Sequence, residues 1–367
     1  MKLTAFQLHD FRNLRQLLYE PQEKLNIFLG ENGQGKTNIL EAIFVLARGV
    51  SFRSVHDDDL IRYQANGFEI KGRYEKEERK FESSLMLRKD GSKLFNINSK
   101  KARHNNADRL RVVVFTPDDL YLVKGSPSLR RQFLDSGLRQ LSAEYVLNHD
   151  DFIKTLRRRN FILRKGPTHS SGLDILDEIL IDRASRVILA RLNYVNIIQE
   201  RARSIYNAIH AYPADLKIRY ALSFTVDSGK INLDLLKCRL GEELKEKRVQ
   251  EYRRGGTLVG PHRDDFHVYL EDKLARHFAS QGQQRSLAVC LKIAEIEAFH
   301  AIKGYYPLFL LDEVLAELDQ EKRLKLLEYL DRSLFQSFLT SVNLSEIEHI
   351  KGAGINLIRE GTITRKE

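Results

Sequence analysis

Cysteine is scarce in this 367-residue chain: Cys238 and Cys290 are the only two, and they stand far apart. They fit neither a zinc-binding spacing nor a disulfide framework, so an ordinary apolar core in a reducing compartment has to hold the fold. No stretch approaches the ~18 consecutive apolar residues that cross a bilayer. The opening MKLTAFQLHDF lacks the apolar core of a cleavable leader and reads as a strand carrying Leu3, Phe6 and Leu8. These absences lead to the expectation of a soluble, cytoplasmic protein. No heptad pattern persists through several periods, which argues against long coiled-coil arms. There is no internal repeat and no low-complexity tract. No aromatic platform for stacking on bases stands out.

Hydrophobic residues make up 42% of the chain, enough for one large α/β unit with an insertion or for two domains. Sixty Lys and Arg face fifty Asp and Glu, a formal net charge of +10. That excess favours a polyanionic partner, nucleic acid or anionic membrane.

Residues 30–38 read Gly30-Glu31-Asn32-Gly33-Gln34-Gly35-Lys36-Thr37-Asn38, a complete phosphate-binding loop. The glycines let successive backbone N–H groups curl around a polyphosphate, Lys36 brings a cation to the β- and γ-phosphates, and the Thr37 hydroxyl can sit on Mg²⁺. The flanks supply the context that the loop needs. Leu25, Ile27 and Leu29 alternate as a strand before it; Ile39, Leu40, Ile43 and Leu46 recur at helical spacing after it, and Gly49 is the stop signal.

Residues 1 to about 118 read as α/β with hairpins, including a turn at Asp90-Gly91 and a short buried strand at 111–115. From 119 to 254 helical patterns take over, with Leu173, Leu176, Ile179 and Leu180 followed by Val187, Ile188, Leu192, Val195 and Ile198. From 255 to 367 strands and helices alternate again. The expected organisation is therefore a discontinuous α/β lobe, 1–118 with 255–367, and an inserted, mainly helical lobe, 119–254.

Asp312 and Glu313 close the apolar run Leu308–Leu311, which is of buried parallel-strand type. Ligands in open α/β sheets sit beyond the carboxyl ends of strands. Beside a phosphate loop, Asp312 can hold Mg²⁺ and Glu313 can orient and deprotonate the water that attacks a γ-phosphate. Ser280-Gln281-Gly282-Gln283-Gln284-Arg285 opens a helix expected over about 283–302, where free N–H groups and a hydroxyl suit an anion or an ordinary cap. Asp319 suits a helix cap. Thr340, at the end of a strand near 336–340, suits either a phosphate contact or a plain strand end. Lys154, Arg157, Arg158, Arg159, Arg164 and Lys165 form a dense basic run, read equally as a DNA-binding face or a solvated one.

The order of these segments resembles the ATPase heads of the ABC class, in the split form of SMC-type proteins, and within that class the RecF family. The resemblance rests on Phe11-Arg12-Asn13, the 30–38 loop, Ser51-Phe52-Arg53, Phe115 to Leu120, Lys124 to Ser128 with Arg130-Arg131 and Leu134-Asp135, Gly260 to Asp265, and Ser280 to Arg285. It implies a P-loop ATPase head without coiled-coil arms. Two copies would close around two ATP molecules and clamp DNA, with weak, DNA-stimulated hydrolysis resetting the clamp. RecO and RecR would be partners in loading RecA at single-strand gaps.

Carried onto this chain, the resemblance makes Lys36, Thr37, Asp312 and Glu313 the hydrolytic side, with ATP and Mg²⁺ as cofactors. Ser280, Gly282 and Gln283 would act on the partner's nucleotide and Asp319 would sit at the dimer junction. Thr340 stands where transporter ATPases carry histidine. DNA, single-stranded, duplex or gapped, would meet Lys154, Arg157, Arg158, Arg159, Arg130 and Arg131. A transporter motor fits less well, because ~240 residues separate the phosphate loop from Ser280. A fused nuclease lacks a spare acidic domain, and a non-hydrolysing scaffold leaves Glu313 without work.

Overall fold

Leu3, Phe6 and Leu8 point to one side of a long strand, and in the computed structural model they are buried along β1 (Lys2–Phe11). Residues 1–54, 56–103, 106–167, 172–209, 213–226, 231–342 and 352–365 are described. After β1 come β2 (Leu14–Tyr19), β3 (Leu25–Leu29), α1 (Lys36–Arg48), β4 (Gly67–Lys76), β5 (Arg79–Arg88), β6 (Lys93–Ile97), β7 (Lys100–Lys101) and β8 (Val112–Phe115). The middle of the chain forms α2 (Pro127–Leu141), α3 (Ala143–Lys165), α4 (Leu173–Ile209), β9 (Leu216–Ala221), α5 (Leu233–Glu246), α6 (Arg248–Arg254), β10 (Asp265–Leu270), β11 (Lys273–Leu274) and α7 (Ala275–Phe278). The chain then runs through α8 (Gln281–Lys303), β12 (Leu308–Leu311), α9 (Gln320–Arg332), β13 (Ser337–Ser341), β14 (Gly354–Arg359) and β15 (Thr362–Arg365).

The chain divides into two units. The first contains Met1–Leu120, Ile205–Pro213 and Gln281–Glu367; the second contains Tyr121–Ser204 and Ala214–Ser280. The inserted lobe was expected to end at 254, and the second unit runs on to Ser280. The reason is strand pairing. β9 and β10 align antiparallel from Asp265 opposite Ala221 to Leu270 opposite Leu216, with β11 beyond β10. This sheet joins segments about fifty residues apart, which no local pattern reveals.

In the first unit, one sheet has the order β2-β1-β4-β5-β6-β7, with antiparallel neighbours throughout. The other has the order β15-β14-β3-β13-β12-β8, in which β14, β3, β13, β12 and β8 run parallel. α1 contacts strands of both sheets. It is apolar on nearly every side: Ile39, Leu40, Ile43, Val45 and Leu46 are all buried. Each is worth about 1.5–3 kcal/mol of burial. The helix ends where the glycine signal puts its end, with Gly49 left-handed and its N–H on the Val45 carbonyl.

The second unit packs its helices around buried ion pairs. Arg130 donates Nε and Nη2 to the two oxygens of Asp265, at 2.7 and 2.8 Å. Arg131 donates to the Asp264 carbonyl at 2.8 Å. Arg191, on α4, donates to both oxygens of Asp135 and to the Pro261 carbonyl. The stretches 124–135 and 260–265, which carry much of the sequence resemblance, therefore meet inside this unit.

Candidate nucleotide and magnesium site

The site begins with sheet order. β13 lies between β3 and β12, and all three run parallel, so their carboxyl ends lie side by side. The phosphate loop leaves β3, Asp312-Glu313 leaves β12, and Thr340 lies near the end of β13. Segments about 280 residues apart in the chain thus come together at one edge of one sheet.

Loop geometry follows from residue type. Gly35 precedes α1 with φ 106°, a backbone that a side chain rarely adopts. Gly30 is needed for space instead, since a Cβ there would lie 2.5 Å from the Ile358 carbonyl oxygen on the neighbouring strand. Lys36 is buried, and its ammonium donates to the carbonyls of Gly30 and Glu31 at 2.7 and 2.8 Å. Burial lowers its pKa, while nearby Glu313 and Asp312 work the other way. Asn32, Gly33, Gly35, Lys36, Thr37, Asn38, Arg53 and Glu313 line a cavity of about 260 Å³ over the start of α1. Backbone N–H groups at a helix start favour an anion there.

The acidic pair is held by two threonines. Thr37 donates its hydroxyl to Asp312 Oδ1 at 2.8 Å, and Thr340 donates to the same oxygen at 3.0 Å. Burial raises the Asp312 pKa, and the two hydroxyl contacts oppose that rise. Thr340 also accepts the Glu313 amide at 2.9 Å. This amide needs holding, because Glu313 has φ 52°, an unusual backbone for glutamate. Glu313 itself is exposed and faces the cavity.

A Thr hydroxyl beside one carboxylate is the donor set that suits Mg²⁺, which takes one or two protein ligands and completes its shell from water and phosphate. No group of three or more His, Cys, Asp or Glu able to form an all-protein metal cage occurs among the described residues.

The two readings left open at Thr340 now separate. Thr340 is fully buried and its single hydroxyl proton is committed to Asp312. It positions the acidic pair and has no proton left for a phosphate. Asp319 caps α9 by accepting the Lys322 amide at 3.0 Å. Ser280 is exposed immediately before α8, and Arg285 of the same hexamer pairs with Glu317 at 3.2 Å.

Residues without an assigned role also border the site. Arg12 grips buried Glu41 of α1 with Nε and Nη2, at 3.0 and 2.8 Å, and Ser51 donates to the same carboxylate. Asn38 donates to Asn13, and Arg53 donates to Asn38. Arg12, Asn13, Asn38, Arg53, Asp59, Ile61, Arg62 and Tyr63 line an adjoining cavity of about 550 Å³. For Arg12, Asn13, Ser51 and Arg53 the sequence signal was their place in the Phe11–Asn13 and Ser51–Arg53 segments; Asn38 belongs to the 30–38 loop.

Two expected DNA contacts, Arg159 and Arg130, need correction. Arg159 is 0% exposed, and its guanidinium is spent on Asp177, Glu251 and Thr257. Arg130 is buried on Asp265, and Arg131 is turned onto the Asp264 carbonyl. Arg159 and Arg130 hold the second unit together, while Arg131 is half-buried. Lys154, Arg157 and Arg158 are exposed.

The family profile described as RecF/RecN/SMC N terminal domain matches residues 2–362. A DNA replication and repair protein RecF from Exiguobacterium is 36% identical over 377 residues, covering 99% of each chain. The chain belongs to the RecF family. Its fold is the RecF/SMC-type ATPase head. The solved structure described as the recombination mediator protein RecF-ATPrS in the RecFOR pathway superposes with a TM-score of 0.89 at 28% identity, covering 100% of this chain and 98% of that one. A Pyrococcus furiosus Smc head bound to the C-terminal domain of ScpA superposes at 0.57 with 13% identity, covering 100% and 96%, a likeness of fold alone. This RecF-family chain has no helix among its described residues long and apolar enough to cross a membrane.

Proposed function

We propose that this chain is an ATP-dependent DNA-binding protein of recombinational repair and replication restart. The reading rests on the adjacency of β3, β13 and β12, which puts the phosphate loop, the Thr37–Asp312 pair and Glu313 around one cavity. ATP would lie with its phosphates on the loop amides and Lys36, held by residues 30–38. Mg²⁺ would be held by Thr37 and Asp312 and would supply charge neutralisation at the phosphates. Glu313, exposed at the cavity, is the base that orients and deprotonates water, so the chain is a weak ATPase. The adjoining cavity at Arg12, Asn13 and Arg53 takes the nucleoside end.

Two copies close around two nucleotides, each capped by Ser280, Gly282 and Gln283 of the other copy, with Asp319 at the junction. The closed dimer grips DNA, and hydrolysis releases it. The similar structure is described as a recombination mediator of the RecFOR pathway. By that likeness RecO and RecR are the partners and RecA loading at single-strand gaps is the outcome.

The test is sedimentation with ATP, together with DNA binding in ATP and ADP. Wild type should dimerise with ATP and bind DNA more tightly than with ADP. Ser280→Arg should still bind nucleotide but stay monomeric, and Lys36→Ala should lose nucleotide binding itself. Normal dimerisation by Ser280→Arg would remove the serine from its role. DNA binding indifferent to nucleotide would remove the clamp.

A further inference from the structure

Helix α3 has two opposite faces. Phe152, Thr155, Leu156, Arg159 and Leu163 recur at helical spacing and are all buried. Arg159 falls in this stripe and locks α3 to Asp177 of α4 and Glu251 of α6. The other face carries Lys154, Arg157, Arg158, Arg164 and Lys165, all exposed. None of these five has an ion-pair partner among the described residues, whereas nearby Arg139 and Arg183 pair with Asp150 and Asp151. Cations left unpaired on one face, beside others neutralised locally, mark a surface kept free for an external anion.

An aromatic residue interrupts the stripe. Phe161 is 57% exposed, and the Lys165 ammonium lies 4.5 Å from its ring centroid. The sequence offered no stacking platform because a single Phe within a basic run reads as a buried helix position. The helix phase puts it outside, at i+7 from Lys154 and i+4 from Arg157. The surface continues onto α6. A Cβ on Gly255 would meet the Arg164 side chain at 2.9 Å, so Arg164 lies against the end of α6, next to exposed Arg253 and Arg254.

We propose that the α3 face, continued by Arg253 and Arg254, is a docking surface for single-stranded DNA, with Phe161 stacking on a base while the flanking cations neutralise phosphates. From Lys154 to Lys165 the stripe spans about 16 Å at helical rise, the length of a few nucleotides. Charge alone would serve a duplex equally. An exposed ring beside a cation suits a strand whose bases are free to turn outward. The proposal deepens the reading that this chain binds DNA, and it rests on that reading.

The experiment is a binding titration of the full chain on labelled single-stranded and duplex DNA, with and without ATP, between about 50 and 200 mM salt. Replacing Lys154, Arg157 and Arg158 together with alanine should lower the salt dependence of single-strand binding by about two logarithmic units per logarithmic unit of salt. Phe161→Ala should weaken single-strand binding roughly 5- to 100-fold, with the salt slope and duplex binding unchanged. The double change Arg157→Lys with Arg158→Lys should bind as wild type.

A triple variant with wild-type affinity and slope overturns the proposal, as does a Phe161→Ala variant that loses both DNA forms equally or neither. Polyglutamate competing as well as a single strand, whether or not Phe161 is present, also overturns it, by assigning the surface to an acidic protein. ATP dependence in wild type reports separately on the clamp. Silent variants with ATP dependence intact remove only the surface; variants behaving as stated without ATP dependence remove only the clamp. A wild type that binds neither DNA form removes both.

Discussion

Thr340 donates its only hydroxyl proton to Asp312 Oδ1 at 3.0 Å and accepts the Glu313 amide at 2.9 Å. One side chain therefore fixes both acidic residues at the end of β12. Thr340→Val keeps the shape, leaves that amide unpaired and takes a donor from Asp312. A buried donor without a partner costs about 1–3 kcal/mol. Mg²⁺-dependent ATP turnover should fall about 10- to 100-fold while nucleotide binding stays within about threefold. Thr340→Ser should keep most turnover. If Ser were no better than Val, or binding fell in step with turnover, the positioning role would be wrong.

Asp312 carries a cost of its own. Burial raises its pKa, so the native protein takes up this proton more readily than the unfolded chain. The charged carboxylate therefore costs stability above its native titration, and the cost disappears as pH falls through it. Asp312→Asn should raise the melting temperature of the nucleotide-free protein at neutral pH. The same variant should lose the additional stabilisation given by Mg²⁺ with ATP. A thermal melt with and without the ligands checks both, and a lowered nucleotide-free melting temperature would contradict the cost.

Glu41 is 0% exposed and receives two hydrogen bonds from Arg12 and one from Ser51. Removing one partner of such a buried pair leaves the other uncompensated, at about 3–5 kcal/mol. Glu41→Gln should lower the unfolding free energy measured in urea by that amount, moving the midpoint to lower urea. Arg53 should also become more mobile, since it lies 3.6 Å from the same carboxylate. A midpoint unchanged from wild type would show that Arg12 finds another anion.

His262 gives the second unit a pH limit. Burial, with Arg263, Arg131 and Arg159 nearby, lowers its pKa to about 4. Between the unfolded value of about 6.5 and that figure, the unfolded chain holds the extra proton, so stability rises with pH across this window and is complete above it. Acidification should remove up to about 3 kcal/mol through this residue. Asp264, raised by burial, acts with the opposite sign. Comparing His262→Gln with wild type isolates the histidine: denaturant midpoints at pH 7 and near pH 4.5 should differ less in the variant. Equal acid sensitivity would place the effect elsewhere.

Local chemistry made the phosphate loop and α1 readable, because alternation, glycines and helical spacing act over a few residues. Asp312 and Glu313 were readable for the same reason. Thr340 could be located from sequence but not given a role, since that depends on which strand lies next to β12. Arg159 was misplaced by its basic neighbours, although its spacing to Phe152, Leu156 and Leu163 puts it in the apolar stripe. α4 read as two apolar runs and is one helix, Leu173–Ile209. The end of the inserted lobe was missed because β9 and β10 pair across fifty residues of chain.

The insertion of β13 between β3 and β12 also sets a schedule for synthesis. Leu25–Leu29 cannot gain that neighbour until Ser337–Ser341 has left the ribosome, more than 300 residues later. At roughly 5–20 residues per second, the amino-terminal segment waits about 15–60 s for its central strand partner. A nascent or truncated product that lacks Ser337–Ser341 therefore displays the phosphate loop without the strand that carries Thr340 to Asp312.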